Sequence, residues 1–199
     1  MTTKLAKIVK SNSHVDYVGR VIDRLDALDP PAPSDYGFAQ FVSMPLEDGS
    51  EVVGVIYNSQ LINPEYGNFG PRLSSAADNS VLSPDYLNEQ GLLVGVLLLG
   101  WIDAEGASHQ TVPRRVIPVN QEIYRLEDEG VRRFHLDGDG RVHLHYYSQI
   151  TTHAGPFGPA LMEAIINQLE PACEPEERQR LCVLKQALVW QRTVGNQRL

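Results

Sequence analysis

No apolar run in this chain approaches the ~20 residues that a membrane-crossing helix needs. The longest, residues 92–102, carries two glycines and several valines, which suits a strand buried on both faces. Cysteine is scarce: Cys173 and Cys182 are the only two in 199 residues. Inside one helix they would sit ~13 Å apart along the axis, so a disulfide needs a bend between them. Two buried thiols in a cytosolic protein is the expectation. Positive charge is also in deficit, with 17 Lys and Arg against 25 Asp and Glu and a net charge of −8. That balance argues against a broad phosphate-binding face and for weak nucleic-acid binding at most. The first ten residues, MTTKLAKIVK, have neither an apolar stretch nor a small-residue cleavage site, so no signal peptide is read there. A cytoplasmic protein without membrane contact follows as the expectation.

Catalytic signatures are missing as well. There is no G-x-x-x-x-G-K-[ST] and no G-x-S-x-G, and Gly67-Asn68-Phe69-Gly70 lacks the lysine of a phosphate cradle. His143 and His145, two apart, would share one strand face, but a turn at Gly138-Asp139 would place His135 on the other, leaving a metal short of a third ligand. Asp137 and Asp139 resemble the start of a calcium loop whose later ligands are absent; a hairpin turn explains them better. The sequence therefore predicts no catalytic residue, no metal site and no cofactor.

What is present is a core-forming composition, 42% hydrophobic and 21% charged, enough for one domain. Short β-rich runs separated by turn residues predict strands at 5–9, 17–22, 38–44, 51–62 and 92–102. Extended chain is predicted at 109–119, and a last hairpin at 131–136 and 141–147, turning at Asp137-Gly138-Asp139-Gly140. The long loop 64–91 includes Ser83-Pro84-Asp85, a helix-start signal. It also offers Tyr66, Phe69 and Leu73 as an apolar contact surface. From Gly155 the period becomes helical. Phe157, Leu161, Ile165 and Leu169 form one stripe; after Pro175, Leu181, Leu184 and Leu188 form a second, widened by Val183, Ala187 and Trp190. The fold class is mainly β: a six- or seven-stranded barrel over residues 1–150, then a helical tail over 151–199 containing two helices.

Glycines inside apolar strands, Gly54 in Val52-Val53-Gly54-Val55-Ile56 and Gly100 in Leu99-Gly100-Trp101-Ile102, mark barrel corners or close backbone approach. Together with residues 118–126 (PVNQEIYRL) and Asp35-Tyr36-Gly37-Phe38 before a strand, they resemble the HAS-barrel. This is the N-terminal barrel of HerA-type DNA-translocating ATPases, similar to the crown barrel of ATP-synthase subunits. The resemblance covers residues 5–126 and stops where those ATPases continue into a phosphate-binding loop. It implies the non-catalytic role of such barrels, holding ring neighbours together and docking partner proteins.

The reading is a non-enzymatic assembly or docking module, homo-oligomeric, that self-associates or joins a HerA-like ATPase. A nucleic-acid-binding barrel using the 64–91 loop and Arg114-Arg115 is the alternative. An enzyme with a site assembled from scattered residues, around His143 and His145, is a second. The interaction candidates are Tyr66, Phe69, Leu73, Arg114 and Arg115.

Overall fold

The computed structural model describes residues 3–63 and 91–195, with side chains to residue 190. Its strands are β1 (Lys4–Ser11), β2 (Asp16–Val21), β3 (Phe41–Pro45), β4 (Glu51–Ile62), β5 (Gly91–Ile102), β6 (Ser108–His109) and β7 (Glu122–Arg125). Six of them close a fully antiparallel barrel in the ring order β1-β2-β5-β4-β3-β7, each strand paired on both sides. The seventh, β6, lies outside the ring on the end of β5.

The strands follow from side-chain alternation. In β2 the buried positions are Tyr17, Gly19 and Val21, one face of a period-two strand. In β3 and the second half of β5 nearly every position is buried, because the outer face is covered too. Two glycines permit close approaches. A Cβ on Gly54 would meet Val96 Cγ1 at 2.8 Å and Leu97 O at 3.0 Å, where the β4–β5 register shifts. A Cβ on Gly100 would stand 2.0 Å from His109 O, so β6 can lie against β5 only because Gly100 has no side chain.

Four helices follow: α1 (Asp128–His135), α2 (Tyr147–His153), α3 (Gly158–Leu169) and α4 (Pro175–Gly195). Several sequence expectations are corrected. Residues 131–136 and 141–147 form no hairpin: α1 occupies the first, α2 begins at the end of the second, and one bridge, Leu136↔Val142, remains between them. The reason lies in the charges. Asp128 and Glu129 stand in the first turn of α1 and Arg132, Arg133 and His135 in its last, matching the helix dipole at both ends. The helical part therefore has four helices, of which the expected two are α3 and α4. Residues 109–119, expected to be extended, contribute only His109 to a strand. The Tyr17 hydroxyl accepts the Ile117 N–H (3.1 Å), tying this segment to β2.

Barrel and helices share one core. Leu161, Met162, Ile165, Ile166 and Leu169 of α3 and Leu181 and Leu188 of α4 join the same buried cluster as Phe41, Val55 and Leu97. Cys173 is buried, but Cys182 is exposed on α4, which corrects the expectation of two buried thiols; both are free. The 64–91 loop, with its expected helix start and the candidates Tyr66, Phe69 and Leu73, falls outside the described residues up to Gln90.

Candidate functional site

The turn after β3, the turn after β5 and the loop at Pro113–Arg115 meet at one end of the barrel. They enclose a groove of about 590 Å³ lined by Trp101, Asp48, Asp103, Glu105, Arg114 and Arg115, among others. Strand register builds one wall. Trp101 is paired with Val52 on one side and His109 on the other, so the three side chains share a sheet face. The His109 ring stacks on the Trp101 indole, with centroids 4.8 Å and planes 17° apart. His109 Nε2 lies 2.8 Å from Asp103 Oδ2, and Asp103 Oδ1 accepts the Ala107 N–H at 2.7 Å. These bonds, His109 first, hold the Asp103 carboxyl below the usual carboxylate range.

Arg114 and Arg115, which the sequence singles out, both come to this groove. Arg115 pairs with Asp48 at 2.6 Å. Arg114 is exposed and has no ion-pair partner among the described residues. Asp48 also accepts from the Ser50 hydroxyl (2.6 Å) and N–H (3.2 Å), which lower its pKa. Trp101, Asp103 and His109 were not legible as site residues, since their meeting depends on β6 folding back onto β5.

The late histidines separate. His135 is buried and its Nδ1 donates to Val131 O (2.7 Å), so in the neutral ring Nε2 accepts from the Tyr146 hydroxyl (2.7 Å). Phe41 and Phe134 pack edge-on against it, and burial pushes its pKa down to about 4. His143 and His145 stay near the surface with ring centroids 5.1 Å apart, and His143 Nε2 lies 2.9 Å from Asp137 Oδ2. No group of three His, Cys, Asp or Glu able to hold a metal occurs among the described residues. Gln110 fastens this region: its amide donates to Phe134 O and His143 O, both at 2.9 Å, and its oxygen accepts the His145 N–H at 2.8 Å.

The other exposed feature is α4. Leu181 and Leu188 turn inward and are buried, while Val183 and Trp190 turn outward at 67% and 66% exposure. Cys182 and Val189 widen this outer strip, and Lys185 is the only charged residue from 182 to 190. No helix among the described residues is long and apolar enough to cross a membrane.

A comparison with curated proteins finds no match. A family profile covers residues 1–197, almost the full length, and the chain belongs to the family described as "Domain of unknown function (DUF8166)".

Proposed function

We propose that this protein is a non-enzymatic assembly module that self-associates through α4. The observation that carries the reading is the helix's second apolar strip. Leu181 and Leu188 already seat α4 on its own core, yet Cys182, Val183, Val189 and Trp190 face solvent along the opposite side. An outer strip of four apolar residues around Gln186, with Lys185 as its one charge, on a helix already anchored, suits contact with another chain better than contact with water. Barrel closure leaves little open edge, since each ring strand has two neighbours over part of its length; among the described residues β4 beyond Ile56 pairs with β5 alone. The resemblance to HAS-barrels supports the same class of role and adds a HerA-like ATPase as a candidate partner.

Light scattering during gel filtration at about 10 µM, in the range of ordinary association constants, tests the reading. The expected outcome is a mass above the 22.1 kDa of one chain. Val183→Glu with Trp190→Glu should return it to one chain while leaving the melting temperature of the barrel unchanged. A wild-type mass of one chain across a tenfold dilution refutes self-association. A DNA-translocating ATPase added to the monomer then tests the partner form, by co-elution that the same double variant abolishes.

A further inference from the structure

The end groove combines three kinds of chemistry that one small ligand could satisfy, and its volume of about 590 Å³ lies within the range of ligand sites. Its planar wall is braced. Behind Trp101 stands His109, behind His109 stands Asp103, and Asp103 is fixed by a backbone N–H of its own turn. A large ring held this rigidly on a groove wall, and not withdrawn into the core, is suited to stacking a second planar ring. Arg114 and Arg115 bring two guanidiniums to the same groove, the donor geometry that matches phosphate oxygens. Glu105, exposed and without an ion-pair partner among the described residues, can accept from hydroxyls.

We propose that this groove binds a nucleoside phosphate, its base against Trp101, its sugar hydroxyls toward Glu105 and its phosphates on Arg114 and Arg115. An isolated anion fits the site poorly, because Asp48, Asp103 and Glu105 line it too. A neutral aromatic ring would leave the unpaired Arg114 unused. Phosphate binding displaces Asp48 from Arg115. Asp48 thus opposes the ligand while staying attached to Ser50, and removing its charge should tighten binding. This inference is independent of the assembly role, and its test does not read oligomeric state.

Two tryptophans are present, and Trp190 is exposed on α4, so Trp190→Phe leaves Trp101 as the only indole. ADP is titrated into this variant, following red-edge indole emission with calorimetry as a second readout. A saturable signal is expected. In the same background Arg114→Ala should weaken it about tenfold, the effect of losing one charge-assisted contact. Asp48→Asn should strengthen it, and adenosine and inorganic phosphate should each bind far more weakly than ADP. Arg114 touches no ionic partner among the described residues, so its variant should melt as the parent does. No saturable signal up to ~5 mM ADP overturns the proposal, as that is weaker than any useful ligand affinity. Undiminished binding by the Arg114→Ala variant, or inorganic phosphate binding as tightly as ADP, overturns it as well.

Discussion

Acid should loosen this fold through one residue, well before its carboxylates protonate. His135 is held neutral in an apolar pocket formed by Phe41, Phe134 and Tyr146, with a pKa of about 4 against 6.5 for an unhindered imidazole. Above pH 6.5 the ring is neutral in both the folded and unfolded chain and contributes nothing to the pH dependence. Below it the unfolded chain binds a proton that the folded core excludes, so stability falls as pH falls. The loss is about 2 kcal/mol at pH 5 and about 3 kcal/mol at pH 4, where the folded ring begins to protonate. Asp48, Asp103, Asp137 and Glu122 have values lowered from 3.8 and 4.5, so their contributions start to be lost only as pH falls to about those values, below the pH 8 to 5 window. Urea unfolding followed by circular dichroism at pH 8, 6.5 and 5 measures the effect. The control is the pair His135→Phe with Tyr146→Phe, which removes the titrating ring without orphaning its hydroxyl partner. Wild type should lose about 2 kcal/mol more than this control between pH 8 and pH 5. Parallel losses in the two proteins would refute the reasoning.

Gln110→Leu removes three hydrogen bonds and strands two carbonyls and an N–H, so a loss of about 3 kcal/mol is expected in the same urea assay. Gly100→Ala places a methyl 2.0 Å from His109 O; β6 should detach, at a cost above about 2 kcal/mol, and the Trp101 emission should shift red. An unchanged emission maximum would show that the β5–β6 pairing does not hold the indole. Leu188→Asp, alone or with Leu184→Asp, puts a charge into the shared core and should lower the melting temperature or cause aggregation. DNA binding should be no tighter than ~10⁻⁴ M and should weaken with salt; sub-micromolar, sequence-dependent binding at ~150 mM salt would contradict the acidic-surface argument.

Five of the six barrel strands, β1 to β5, were legible as β-rich runs, whereas the short β7 (Glu122–Arg125) was not read as a strand. Residues 51–62 and 92–102 are long β-branched and leucine-rich runs, and Gly54 and Gly100 sit at a register shift and a close approach. The hairpin at 131–147 was misread for a physical reason. Val131, Phe134 and the Asp-Gly-Asp-Gly turn all carry β or turn preference, while the decisive signal, acids first and bases last, becomes evident only when residues 128–135 are tried as a helix. The groove was half legible. Arg114 and Arg115 stood out as a doublet, but Asp48 and Trp101 lie far from them in sequence and no local pattern joins such distant residues. Val183 and Trp190 were read as widening the Leu181–Leu184–Leu188 stripe, but the structure turns them to the side of α4 opposite Leu181 and Leu188.

The strand β7 has a consequence for how the chain reaches this shape. It lies between β1 and β3, pairing Lys4 with Tyr124 and Ser43 with Tyr124, so the first and third strands are bridged by one that arrives some 80 to 120 residues later in the chain. No N-terminal fragment that ends before Arg125 contains a closed ring. On a ribosome, β1 to β5 emerge with apolar surface exposed and two open edges until that short segment follows. Closure must wait for a contact of long sequence separation, which makes folding slow compared with a simple meander of the same size. A chain cut after residue 115 should therefore remain without protected amides by hydrogen exchange, although it contains five of the six barrel strands.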